Sequence, residues 1–457
     1  MERKNGTFTL IFTNFIAAMG ITIVVPLIGN ASQIFGVSQA SGIWIITAFM
    51  LTYAVGMPLT GKISDSMGRK PIYILSMSLF SVGLLISAVS SNFTLIVIGR
   101  LIQGFGASGT LPISNAMAFE LFGSAKGRII GFISAAFGMG SIAGINLGGF
   151  VYSLFGWRTI FVAMFAISLV GLLLSFGLPE SLKEKKKSRI DLFGTLTFAS
   201  TMVFFMLLFK ALGKNSVFSA EVLPYLVLFL ISAVAFSISE MTVKNPIVDV
   251  KLFKNPTFSL TIAVALLGGT GMFIAMTIIP SFAQILLGYS VSNASYSVDP
   301  MAAVLIIFSA ITGLWIDKRG SEEVLLFGVA VLTGAFYLLA RFSNGPLTYY
   351  LFTMTIGVGL GSIIAPMTYL AIKEAGSGNA GVSSGMASLF RTIGGIVGPT
   401  VAGYILSQTD FESLFAMENI LKSYSKIFYF GFWSLVIATV LAAVIFFKGR
   451  RGRKLIK

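Results

Sequence analysis

Fourteen windows of predominantly apolar residues recur along this 457-residue chain, each of the roughly 20 residues that a helix needs to cross the hydrocarbon of a bilayer. In lipid every backbone N–H and C=O must be satisfied within its own segment, so such windows fold as spanning helices. They fall at 8–29, 41–60, 71–90, 93–118, 129–153, 158–178, 190–209, 222–241, 257–286, 296–316, 323–341, 347–371, 382–406 and 426–447. With 56% hydrophobic and 11% charged residues, the chain has too little polar surface to coat a soluble fold. The first window follows Arg3 and Lys4. It is too long for the apolar region of a secretion signal and has no small-residue cleavage site, so it reads as a retained span.

The formal net charge of +15 would suggest a nucleic-acid partner in a soluble protein. Position argues otherwise. With the N-terminus inside, 24 of the 32 Lys and Arg residues fall in cytoplasmic loops or tails, from Arg3 and Lys4 to the basic end Lys448–Lys457. Only Arg100 and Arg391 lie within spans. This bias sets an N-in, C-in orientation and leaves nucleic acid without a role. Trp44, Trp157 and Trp433 toward outer ends, and Trp315 toward an inner end, match aromatic belts. The basic tail adds attraction to anionic lipid.

The chain has no cysteine and no histidine. Disulfides, thiolate metal sites, cysteine nucleophiles and histidine acid–base chemistry are excluded, and proton movement falls to Asp, Glu, Arg or Tyr. No Gly-rich loop followed by Lys-Ser/Thr is present to cradle ATP phosphates, and no cofactor or metal is implied. The spans hold no cluster of nucleophiles and acids, so an enzyme is not indicated.

The run Gly61-Lys-Ile-Ser-Asp65-Ser-Met-Gly68-Arg69-Lys70 recurs 252 residues later (313 − 61) as Gly313-Leu-Trp-Ile-Asp317-Lys-Arg-Gly320. Each copy closes the second span of a half. Gly140, Gly144 and Gly148 in the fifth span recur 254 residues on (394 − 140) as Gly394, Gly398 and Ala402. Two features at nearly one offset indicate duplication. The predicted organisation is an N-terminal six-helix half at 1–180, a linker with two inserted helices at 181–255, and a C-terminal six-helix half with a basic tail at 256–457.

The turn Gly61-x3-Asp65-x2-Gly68-Arg69-Lys70 resembles the signature loop of the major facilitator superfamily. Arg100-Leu-Ile-Gln103-Gly104-Phe-Gly106-Ala107 is similar to that family's fourth-helix arginine pattern, and Gly144-Ile-Asn-Leu-Gly148-Gly149 resembles its fifth-helix antiporter motif. The segment Asn245-Pro-Ile-Val-Asp249-Val-Lys-Leu-Phe253-Lys-Asn255, with the two extra spans, resembles the fourteen-span drug:proton antiporter branch. The resemblance implies an all-α integral membrane protein of the major facilitator fold. It implies proton-coupled multidrug efflux by alternating access, and so antibiotic resistance, from a monomer in the cytoplasmic (inner) membrane. The chain departs from the pattern at Ile145, where the family has proline, and at Gly20, where this branch carries an aspartate.

Candidate roles follow. Gly61, Asp65, Gly68 and Arg69, echoed by Gly313, Asp317 and Gly320, would form a cytoplasmic gate in which a salt bridge locks one conformation; the alternative is a solvated hairpin. Arg100 costs about 2.5–3.5 kcal/mol within the membrane and should face a cavity or a partner, and the resemblance implies a part in proton transfer. Arg391, Asn14, Gln103 and Asn146 are candidates for a substrate cavity. Gly140, Gly144, Gly148 and Gly149 form a small-residue face for packing or gating. Asp299 is the candidate protonation site if it lies more than a turn deep; Asp299-Pro300 also reads as a helix start. The competing substrate class is anionic or neutral metabolites, because two buried arginines make a cavity neutral to positive.

Overall fold

The computed structural model describes residues 2–25, 27, 34–37, 42, 44–180, 191–212, 219–243, 246, 250–342, 345–409 and 416–455. No strand occurs among them. The polar linker at 181–190, Lys214, Lys244 and Asp249 of the sequence motifs lie outside the described residues.

The chain begins with α1 (Glu2–Thr22), α2 (Trp44–Met67), α3 (Arg69–Ala88), α4 (Phe93–Ser108), α5 (Thr110–Leu121), α6 (Lys126–Phe155) and α7 (Trp157–Ser175). Then come α8 (Leu192–Leu212) and α9 (Leu223–Thr242), at the place where the sequence predicts two inserted helices. The rest is α10 (Pro256–Leu287), the short α11 (Val291–Tyr296), α12 (Asp299–Arg319), α13 (Ser321–Phe342), α14 (Pro346–Gly361), α15 (Ile364–Ala375), α16 (Ala380–Ser407) and α17 (Ala416–Leu455). Thirteen helices among the described residues are long and apolar enough to cross a membrane, and Gly6–Thr22 of α1 is a shorter apolar helix.

The repeat seen in the turns extends to the helix boundaries. The windows at 93–118 and 347–371 read as single spans, yet each is broken, into α4 and α5 and into α14 and α15. The cause is visible in sequence. Pro112 and Pro366 have no N–H, and their rings exclude the carbonyl four residues earlier, at Ser108 and Ser362. Helix α4 ends at Ser108, and Ser362 caps the end of α14. A single 3₁₀ turn follows each broken span, Gly123–Ala125 before α6 and Ser377–Asn379 before α16. Polar caps fix two of the starts: the Asn92 side chain accepts the Leu95 N–H at 2.8 Å, and that of Asn255 accepts Thr257 N–H at 2.9 Å.

The chain packs as two compact units, one comprising 1–192 and 375–386, the other 193–374 and 387–457. The first unit thus takes in the opening turns of α16 from far along the sequence. Within it α6 lies along α1, because Gly140, Gly144 and Gly148 remove every side chain between the two backbones. A Cβ at Gly140 would strike the Phe15 carbonyl, at Gly144 the Thr22 hydroxyl and at Gly148 the Ile23 carbonyl. The second unit repeats this contact: a Cβ at Gly394 would strike the Leu266 carbonyl of α10, and one at Gly398 would sit 2.6 Å from the Thr270 carbonyl. Small residues here bring helices close enough for dispersion to hold them, since lipid offers no hydrophobic driving force between spans. The second unit has its own core, centred on Phe282, Phe336, Tyr349 and Phe428.

Candidate functional site

The turn at Gly68 organises the first unit's charges. Gly68 has φ 114°, a conformation that L side chains rarely adopt. This one-residue reversal sets Arg69 beside Asp65, one turn back on α2. Arg69 is wholly buried. Its Nη1 pairs with the Asp65 carboxylate, its Nη2 lies 2.7 Å from Glu120 Oε1 on α5, and Nη1 also donates to Ser64 Oγ at 3.1 Å. The Arg69 backbone N–H donates to Glu180 Oε1 at 2.9 Å. Burying one guanidinium between carboxylates costs desolvation of every group, and the ion pairs return it only if all stay together.

Asp65 does more than neutralise Arg69. Its Oδ1 accepts the Gly381 N–H at 2.9 Å and its Oδ2 accepts the Val382 N–H at 2.8 Å. These are orphan donors in the first turn of α16, where the helix dipole is also positive. The carboxylate therefore serves as a side-chain cap for a helix that begins more than 300 residues later. Close approach requires two glycines. A Cβ at Gly61 would strike the Gly381 carbonyl, and one at Gly381 would come 2.6 Å from Arg69 Nη1. One turn on, Asn115 Nδ2 donates to Ser384 Oγ at 3.2 Å.

Arg100 is also wholly buried, but in another kind of setting. Its Nε donates to the Ile45 carbonyl at 2.8 Å, and its Nη1 to the Gly20 carbonyl at 2.9 Å and to Gln103 Oε1 at 2.7 Å. The guanidinium stacks over Phe49 with its carbon 4.4 Å from the ring centroid. Every one of these partners is neutral. Arg100 Nη2 and Gln103 Nε2 are buried and make no hydrogen bond among the described residues.

Asn14, on α1, donates from Nδ2 to the Leu10 carbonyl and to Ser114 Oγ, both at 2.7 Å. Ser114 Oγ lies 3.1 Å from the Tyr73 hydroxyl, which also bonds Thr13 Oγ1. Tyr73 stands one turn after Arg69 on α3, so this hydroxyl chain runs on from the charge cluster. Sequence reading did not single out Tyr73, Ser114 or Thr13, although polar residues at helical spacing on facing apolar spans were the available signal. Asn146 sits on the exposed face of α6, away from Asn14 and Gln103, and Gly149 is half-buried beside the stripe.

In the second unit the matching turn holds different chemistry. Gly320 has φ 95° and reverses the chain as Gly68 does. Gly313 is buried, but Asp317 is exposed. The ion pair at this junction joins the buried Glu322 to the exposed Lys373 at 2.7 Å, and Asn255 Nδ2 donates to Glu374 Oε2 at 3.0 Å. Arg391 is buried on α16 where α10 passes at Gly269, whose Cβ would strike the Arg391 carbonyl. Asp299 is the first residue of α12, followed by Pro300, and is half-buried. It occupies the helix-start position and not a place one turn deeper.

No group of three or more acids among the described residues is arranged to hold a metal ion. A cavity of about 120 Å³ in the first unit is lined by Gly6, Leu10, Met117, Leu121, Phe122, Leu178 and Pro179. Drug-sized ligands need several hundred cubic ångströms, so this cavity is not a substrate site.

A model of the Major Facilitator Superfamily matches residues 10–399. The multidrug transporter protein MdtP of Bacillus subtilis (strain 168) is 28% identical over 415 residues, covering 89% of this chain and 76% of that protein. Multidrug resistance protein 3 of the same organism is 27% identical over 393 residues, covering 85% and 77%. The crystal structure of the human organic anion transporter MFSD10 matches with a TM-score of 0.68 at 17% identity, covering 95% of this chain and 99% of that one. At that identity the likeness concerns the fold alone.

Proposed function

This chain belongs to the Major Facilitator Superfamily, and we propose that it is a secondary transporter that exports hydrophobic or amphipathic small molecules by alternating access, driven by protons. It is a multi-pass membrane protein. In the proposed arrangement it works as a monomer in the cytoplasmic membrane, N-in and C-in, with fourteen spans organised as 1–180, 181–255 and 256–457. The curated relatives named as multidrug transporters support this substrate class.

The observation that carries the mechanism is the Asp65 carboxylate on the Gly381 and Val382 N–H groups, backed by Arg69. Such a cap is worth having only when both partners are in place, because each is buried and costly alone. It forms one end state of a switch: made, it holds the start of α16 against α2; broken, it frees the two to part. Asp65 and Arg69 act as the lock, and the glycines at 61 and 381 set its closeness. Asp299, half-buried at the start of α12, is kept as the proposed proton acceptor, although it lies shallower than the full turn of depth that the sequence reading asked for.

Purified protein in proteoliposomes with an imposed pH gradient tests this reading. Uptake of a lipophilic dye that follows the gradient and collapses with an uncoupler is the expected result. Asp299→Asn should remove the pH dependence and leave the dye bound; unchanged pH-driven transport in that variant would exclude Asp299 as coupler. A second substrate class, anionic metabolites, is favoured by one observation, the neutral surroundings of Arg100.

A further inference from the structure

We propose that Arg100 and Gln103 receive an anionic group, the carboxylate of an amphipathic substrate, through Arg100 Nη2 and Gln103 Nε2. The inference rests on the transporter reading and names the charge of its substrate. It starts from the difference between two buried arginines. Arg69 is compensated by Asp65 and Glu120, whereas the partners of Arg100 among the described residues are two carbonyls, an amide oxygen and a ring. Dipoles orient a guanidinium but leave its unit charge uncancelled, and a buried charge in that condition is held at high cost.

Two donors are left over in the same place. Arg100 Nη2 and Gln103 Nε2 are both buried without a hydrogen bond, and the Arg100 Nη1 bond to Gln103 Oε1 fixes the two side chains to each other. A buried donor with no acceptor is costly, and two of them beside one uncompensated charge form a site selective for a negative acceptor. A carboxylate presents two oxygens and matches the planar fork of arginine. Gly20 packs closely against the same place: a Cβ there would lie 2.8 Å from the Phe80 ring and 3.1 Å from Gln103 Nε2, so a ligand reaches the two donors only in a conformation in which α1 and α3 have moved apart. The same ring and Phe49 give the surroundings an apolar character, so the fitting ligand carries its carboxylate on a hydrophobic body.

The test uses the purified full-length protein and three probes of one shape: 1-naphthylacetate, 1-naphthylethanol and 1-naphthylethylammonium. The acid should bind at least tenfold more tightly than the alcohol, and the ammonium more weakly still. Equal affinity for acid and alcohol would overturn the proposal, and this comparison needs no variant. Gln103→Leu and Arg100→Lys should each weaken the acid by tenfold or more and leave the alcohol unchanged. Gly20→Asp places an internal carboxylate beside the two donors and should abolish acid binding. Retained acid binding in Arg100→Lys and Gly20→Asp would also overturn it. Sodium chloride is the control for an inorganic source of the same charge; stabilisation by chloride that needs Arg100, with no competition from the naphthyl acid, would assign the donors to a halide and reject a substrate carboxylate. Binding is read without a gradient. Acid binding with no transport would therefore break the transporter reading alone, and gradient-driven transport of the ammonium with no acid binding would break this inference alone.

Discussion

Two glycine turns, Gly68 and Gly320, share a backbone and differ in every charge around them. Both take positive φ, 114° and 95°, and each follows an aspartate three residues earlier. Asp65 is 8% exposed and bonded to the start of α16, whereas Asp317 is exposed. The residue after the glycine accounts for the difference. Arg69 lets Asp65 be buried by cancelling its charge, while the corresponding Ser321 supplies none. The junction ion pair is also reversed in polarity, Arg69 to Glu120 in one unit and Glu322 to Lys373 in the other. The two turns share the reversal of the chain, which needs only glycine, and differ in electrostatics, the difference on which the proposed lock rests.

Substitutions can break that comparison, and the largest effect belongs to Arg69. Arg69→Ala strands Asp65 and Glu120 in a buried setting and should cost on the order of 3–5 kcal/mol, seen as a large fall in the thermal midpoint and loss of transport. Ser321→Ala at the matched place removes a buried hydroxyl that has no bond partner among the described residues and should be near neutral. Next is Gly61→Ala, whose methyl meets the Gly381 carbonyl. It should reduce transport at least tenfold with protein yield retained, while Gly378→Ala, with nothing within 4 Å, should leave the rate unchanged.

Smaller effects are expected in the second unit. Glu322→Gln breaks a pair whose lysine side chain is 45% exposed, so Lys373 can turn to water and the cost should be about 1 kcal/mol by thermal unfolding. Asp317→Asn should change transport less than twofold. A loss there as deep as that of Asp65→Asn would show that the two turns are functionally equal.

Much of this architecture was legible in the chain itself. Apolar windows marked the helices because lipid permits few alternatives, and the glycine repeats marked two close helix contacts, α1 with α6 and α10 with α16. Pro112 and Pro366 carried the signal for the breaks in the fourth helix of each half, but hydropathy averaged over a window hides a single missing N–H. The Arg69 cluster was half visible. Asp65 and Arg69 stand four apart and invite pairing, yet nothing local connects them to Glu120, Glu180 or the N–H groups of Gly381 and Val382. Those contacts are set by tertiary packing between distant segments. Arg100 was conspicuous as a charge in an apolar span and Arg69 as part of a charged turn, and only the structure shows that the one is held by dipoles and the other by acids.

The central claim is that the start of α16 must part from its partners in the first unit during each cycle. The chain has no cysteine of its own, so a pair placed at Asn115→Cys and Ser384→Cys, whose side chains are hydrogen-bonded at 3.2 Å, reports on that contact alone. Reduced, the double variant should transport. Oxidised to the disulfide it should stop, and dithiothreitol should restore the rate, with each single-cysteine variant indifferent to oxidant. Full transport by fully oxidised protein would contradict the lock.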